Sequence, residues 1–135
     1  MLVSVCTIAR NEEEYLPHLL EDITKQDYPA EQIEVVMVDS SSTDGTRRIM
    51  ERFAEENYEE LVEINFKQIP SAMDIFSGDL TVDNMVMAMR FRFPEKKIIP
   101  GKTMIFLDEI QECQEAITSL KFWALDNRFD VIASG

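Results

Sequence analysis

The feature that most constrains this chain is a short apolar run, Ile33 to Val38, which ends on Asp39 and opens into the loop SSSTDGT. Five of the six residues before Asp39 are apolar (Ile33, Val35, Val36, Met37, Val38), the composition of a strand covered on both faces. Such a strand requires a sheet with helices above and below it. Asp39 then stands at the strand's carboxyl end, the edge at which open parallel sheets bind ligands. The loop adds hydroxyls, a second acid and one glycine for a tight turn.

The rest of the chain repeats this alternation. Leu2 to Ile8 reads as a first strand. Leu16, Leu19, Leu20 and Ile23 then fall at the spacing of a helical stripe, and Pro17, lacking an amide hydrogen, sets the helix start near Glu13 to Tyr15. Ile49, Met50 and Phe53 mark a second helix over about 44–56, and Leu61 to Phe66 a third strand. A less regular stretch follows. Thr81 can cap a third helix with the stripe Val82, Met85, Val86 and Met89, read as core filler. After the loop PEKKIIPGK come a fourth strand, Thr103 to Leu107, ending at Asp108 and Glu109, a long helix with Ile117, Leu120 and Ala124 on one face, and a fifth strand, Phe129 to Ala133. The order β-α-β-α-β-α-β-α-β predicts a single α/β domain over 1–135, a mainly parallel five-stranded sheet with helices on both faces, in the manner of a Rossmann-like three-layer sandwich. No helix follows the last strand, which reads as a truncation.

Composition narrows the partners. With 45% hydrophobic and 29% charged residues the chain is globular in type, and no apolar run approaches the ~18 residues of a membrane span. A net charge of −13 disfavours nucleic acid, whose phosphates need clustered Lys and Arg. No secretory leader is visible at Met1, so a cytoplasmic location is expected. Cys6 and Cys113 lack further ligands at metal spacing and are expected to be reduced structural thiols. His18 is expected to be an exposed helix residue, and Arg47 and Arg48 to pair with Glu51.

Two resemblances divide the chain. Residues 1 to about 55, with SVCTIARNEEEYLPHLLEDITKQDYP and VMVDSSSTDGT, resemble the nucleotide-sugar half of family 2 glycosyltransferases. The resemblance implies nucleoside contacts from Thr7, Ala9, Glu12 and Asp39, with a nucleotide or nucleotide-sugar as partner. The family's DxD motif and acceptor-side base are absent downstream. Residues from about 56 to 135, with TMIFLDEIQECQEAITSLKF and RFDVIASG, resemble the Walker B and sensor part of AAA-type ATPases. That resemblance implies Asp108 at a metal, Glu109 as the catalytic residue that polarises water, and Ser134 at the sensor position. The phosphate loop GxxxxGK[ST] is missing, and the GKT at Gly101 to Thr103 enters a strand rather than a helix.

Together these features predict a chimeric or truncated nucleotide-binding α/β domain without turnover. Asp39, Asp108 and Glu109 are expected as neighbours at the sheet edge, an oxygen cage for Mg²⁺ or Mn²⁺ with a nucleotide phosphate. A transferase fragment, an ATPase fragment and a self-associating scaffold are the alternatives.

Overall fold

A computed structural model describes residues 3–135, so Met1 and Leu2, the latter expected to open the first strand, lie outside the described residues. The chain forms β1 (Val3–Ala9), α1 (Leu16–Thr24), β2 (Ile33–Asp39), α2 (Thr46–Asn57), β3 (Glu60–Asn65), α3 (Val82–Arg92), β4 (Thr103–Asp108), α4 (Gln114–Asp126) and β5 (Asp130–Ser134). All five strands are parallel, in the order β1-β2-β5-β4-β3. The expected α/β class and five-stranded parallel sheet are therefore present, and the strand order, which the apolar pattern leaves open, puts β1 and β3 at the edges.

That order follows from how the chain travels. It steps from β1 to β2, crosses to β3 at the far edge, then returns through β4 to β5 between β4 and β2. Right-handed crossovers place helices of outward and returning steps on opposite faces. Accordingly, Leu16 and Leu20 of α1 and Met50, Phe53 and Ala54 of α2 pack on Val35, Met37, Met104, Phe106 and Ile132. The other face carries Val82, Met85, Val86 and Met89 of α3 and Ala116 and Trp123 of α4 against Val62, Ile64, Ile105, Leu107, Val131 and Ala133. Every residue of β4 is buried, as its composition requires. Burying each such side chain contributes roughly 1.5–3 kcal/mol, set against the entropy of ordering the chain.

Local signals placed most element ends. Pro17 sits in the first turn of α1, where a missing amide costs nothing. The Thr81 hydroxyl accepts the Asn84 amide at 3.2 Å and starts α3, and all four residues of the expected α3 stripe are buried. His18 is exposed.

Three expectations change. The buried stripe of α4 is Ala116, Ser119 and Trp123, while Ile117 is 37% exposed. The helix is rotated by about one residue because the indole of Trp123 docks edge-on against Phe129, ring centroids 6.0 Å apart, and donates to the Ser119 hydroxyl at 3.2 Å. The stretch after β3 is more regular than expected. Pro70–Phe76 winds as a 3-10 turn that buries Ala72, Ile75 and Phe76, with Phe76 edge-on to Phe66. Leu19, placed on the α1 stripe, is 39% exposed, and α1 packs through Leu16, Leu20 and Ile23 instead. Among the described residues, no helix is long and apolar enough to cross a membrane.

Candidate functional site: the carboxyl edge of the sheet

The parallel register brings one residue from each strand into a single row at the carboxyl edge: Ala9, Asp39, Ser134, Asp108 and Asn65. Residues in register point to the same face, here that of α1 and α2. The connection after β2 leaves toward that face and the one after β4 toward the other, so the end of β5 lies at the sheet's switch point, where ligands of such sheets usually sit.

Asp39 is held inside this row. It is 2% exposed, one carboxylate oxygen accepts the Ser134 hydroxyl at 2.9 Å, and the other accepts the Ser42 amide at 3.3 Å. Its carbonyl accepts the Gly135 amide at 3.2 Å. A buried carboxylate needs such donors, and in this chain they come from β5 and from the loop that follows Asp39 itself.

The two loops above β1 and β2 are clasped together. Asn11 donates its amide to the Ser42 hydroxyl at 2.9 Å and accepts the Thr43 amide on its side chain at 2.8 Å. Thr46, completely buried, accepts the Glu12 amide at 2.8 Å and donates its hydroxyl to Asp44 at 2.5 Å. Glu13 takes the Gly45 amide at 2.8 Å. Two amides at the start of α2 therefore meet the chain's own carboxylates, since Gly45 holds the cap position and the Asp44 side chain accepts the Thr46 amide at 2.9 Å. The hydroxyl bond from Thr46 holds the Asp44 carboxyl below its ordinary range, with burial opposing it.

Asp108 stands at the end of β4, and each of its oxygens meets protein donors. Arg47 donates from Nη2 at 2.6 Å and from Nε at 3.4 Å, Asn65 donates at 3.0 Å and the Glu109 amide at 3.0 Å. The same guanidinium lies 5.0 Å over the Phe106 ring and reaches Glu63 at 2.9 Å and Glu51 at 3.5 Å. Burial would lower the Arg47 pKa, but the bond to Asp108 and the surrounding acids hold it above the ordinary value. Glu63 is pushed up by burial and by Glu51, with Arg47 opposing. The expected pairing of Arg47 and Arg48 with Glu51 is present, each at 3.5 Å. What the helix spacing could not reveal is that Arg47 also spans 61 residues to Asp108.

Glu109 occupies the left-handed region, φ 55° and ψ 43°, one residue beyond β4. Its side chain accepts from Gln111 at 2.5 Å and pairs with Lys67 at 3.1 Å. These two donors hold its carboxyl below the ordinary range.

The expected oxygen cage does not form. β5 lies between β2 and β4, so Asp39 and Asp108 are separated by two strand spacings, about 10 Å. Among the described residues no three His, Cys, Asp or Glu side chains converge to hold a metal. A divalent ion at Asp108 would also have to sit beside the Arg47 guanidinium, so the donor set as folded fits Mg²⁺ or Mn²⁺ poorly. Of the residues implied by resemblance, Ala9 and Asp39 are neighbours in register, Thr7 pairs with Met37 two residues deeper in the sheet, and Glu12 is drawn in through Thr46. Asp108 and Glu109 belong to a separate cluster with Arg47, Asn65 and Lys67.

No solved structure is similar enough to count as a match. A 53-residue segment, 39% of this chain, is 43% identical to poly(ribitol-phosphate) beta-N-acetylglucosaminyltransferase of Staphylococcus aureus, in strains Mu50 and MW2 alike. That segment is 9% of the length of those relatives. Residues 4–68, the unit from β1 through β3 that carries the clasped loops, match the family described as Glycosyl transferase family 2.

Proposed function

We propose that residues 4–68 are the nucleoside-binding half of a family 2 glycosyltransferase site, and that the chain binds a nucleotide or nucleotide-sugar weakly, without turnover. The observation that carries this reading is the coincidence of the family match with one folded unit. The match covers β1, α1, β2, α2 and β3, and within that unit the Asn11–Glu13 and Ser42–Thr46 segments are fastened to each other above Ala9 and Asp39. Thr7, Ala9, Glu12 and Asp39 are the residues proposed to face the nucleoside. Asp39 would serve it by exchanging its bond from Ser134 for one from the ligand.

The weakness and the absence of turnover have physical grounds on the same edge. Gly45 and Thr46 at the start of α2 already donate their amides to Glu13 and Asp44, and Arg47, beside the row, is committed to Asp108 and Glu63. A phosphate would have to displace them against the chain's negative charge.

Isothermal titration of UDP, UDP-N-acetylglucosamine and ATP, each with and without Mn²⁺, tests this. A uridine nucleotide should bind weakly, and Glu12→Ala and Asp39→Asn should remove the binding while circular dichroism stays native. Silence from the uridine ligands in the folded wild-type chain would sink the reading.

A second reading rests on one register. Ser134 lies beside Asp108 across β5 and β4, the adjacency that an ATPase-type Walker B and sensor would need. The family match nevertheless runs on to residue 68, through β3. ATP binding that requires Asp108 and not Asp39 in the same titration would favour this reading.

A further inference from the structure

β1 pairs on one side only. It meets β2 at seven consecutive positions, from Val3 opposite Ile33 to Ala9 opposite Asp39, without a bulge, and among the described residues no strand pairs with its outer side. An open row of amides and carbonyls is a template for another strand, and soluble proteins usually blunt such rows with charge, proline, bulges or cover. The other edge, β3, shows this protection. It carries Glu60 and Glu63, and Glu60 accepts the Lys97 amide at 3.1 Å and pairs with Lys96 at 3.7 Å.

Among the described residues nothing comparable guards β1. Val3 to Ala9 contains no charge, proline or glycine. Cys6 is exposed, and Ile8 is 78% exposed. Both lie in register with Val36 and Val38, on the face of α3 and α4, whose core takes residues of β3, β4 and β5 and none of β1.

We propose that β1 docks against β1 of a second copy of this chain, the two strands antiparallel about a two-fold axis at Cys6. Two-fold symmetry about an axis normal to a strand sets it antiparallel to its copy, and makes one edge complementary to itself. Charge favours the same arrangement. Each chain carries −13, so copies can approach closely only where the surface is neutral, as residues 3–9 are. Past the carboxyl end of β1, exposed Arg10 has no ion-pair partner among the described residues, whereas exposed Glu31 lies just before the amino end of β2. Antiparallel docking carries each Arg10 toward the Glu31 end of the other copy. A seven-residue strand contact is small beside the roughly 1,200–2,000 Å² of a standard interface. The dimer is therefore weak and concentration-dependent, and it forms whether or not a nucleotide binds.

Sedimentation velocity of the full chain over a concentration series should show a reversible shift from the 15.6 kDa monomer toward twice that mass. Ile8→Lys should remain monomeric at every concentration with an unchanged circular dichroism melt. Mild oxidation should cross-link the dimer through Cys6, since opposed residues on antiparallel strands have Cβ atoms about 4.5–5.5 Å apart, and Cys6→Ser should abolish the product; Cys113, 2% exposed, cannot substitute. A wild-type chain that stays monomeric throughout overturns the proposal, as does a dimer that survives Ile8→Lys or gives no Cys6-dependent product.

Discussion

Arg47 closes on Asp108 with two nitrogens, at 2.6 and 3.4 Å, and so joins the first turn of α2 to the end of β4. The guanidinium is about one-third exposed (35%) and the Asp108 side chain 10%. The pair is therefore more than a surface contact and less than a buried one. Replacing Arg47 with Met keeps the stem over Phe106 but leaves Asp108 and Glu63 without their cation. We expect a loss of about 1–3 kcal/mol in urea unfolding, the range for breaking a pair of this burial. Adding Asp108→Asn to Arg47→Met should recover part of it, since the uncompensated charge is then gone.

Glu34 presents the opposite case. It is 1% exposed, Ser4 donates to one of its oxygens at 2.6 Å, and the other oxygen has no hydrogen-bond partner among the described residues. Burial pushes its carboxyl above the ordinary range, with the Ser4 bond opposing and Asp130 and Asp126 adding to the rise. A raised folded-state value means that the folded chain favours the protonated form. The stability Glu34 contributes is present at low pH and is lost as pH rises through that value. Glu34→Met should stabilise the chain by about 1 kcal/mol at pH 7, with the advantage shrinking as the pH is lowered toward 4. A thermal melt series across pH measures this, and an advantage independent of pH would contradict it.

Trp123 is the chain's one tryptophan and is completely buried. Ser119→Ala removes the acceptor of its indole N–H and leaves a buried donor unpaired, which costs about 1–2 kcal/mol. Unfolding followed by tryptophan fluorescence should show this, together with a native-state emission shift. Trp123→Ala should cost about 3–5 kcal/mol through the cavity it leaves.

Thr46→Val retains the shape of the side chain but removes the hydroxyl that accepts from Glu12 and donates to Asp44. Hydrogen exchange at the Glu12 amide should accelerate by roughly tenfold or more, equivalent to about 1.4 kcal/mol. The amides of β4 should keep their protection. If β4 loosened equally, the clasp would be part of the global fold rather than a local fastening.

Tyr58 and Asp130 form a partly buried pair at the opposite end of the sheet, the phenol donating to the carboxylate, which also accepts the Val35 amide at 2.9 Å. Burial raises both groups, and the nearby Asp130 charge raises Tyr58 further. Tyr58→Phe should destabilise the chain by about 1–2 kcal/mol at neutral pH. The loss should diminish in acid, where a protonated Asp130 no longer needs the donor, and pH-dependent denaturation would show it.

Much of the architecture was legible in residue order because its causes are local. Period and composition locate the apolar strands Ile33–Asp39 and Thr103–Asp108, a hydroxyl locates the start of α3 at Thr81, and Pro17 locates the first turn of α1. The phase of α4 was not legible, since Ile117 and Ala116 are adjacent and only the packing of Trp123 on Phe129 chooses between them. The site was legible by residue and not by grouping. Asp39, Asp108, Glu109 and Ser134 do stand at strand ends, but their mutual distances depend on strand order, which no local pattern encodes.

From Ile33 to Thr46, the sequence by itself determined a buried strand, an acid at its end and a turn into a helix, because side-chain period, backbone preference and capping act within a few residues. Only the tertiary structure decided what that acid faces. By returning the chain through β4 to β5, the fold inserted Ser134 between Asp39 and Asp108 and set Arg47 on Asp108. Two carboxylates that residue order offers as one metal cage became two separate hydrogen-bonded clusters, because a charge taken out of water must be met by whichever donors the sheet brings beside it.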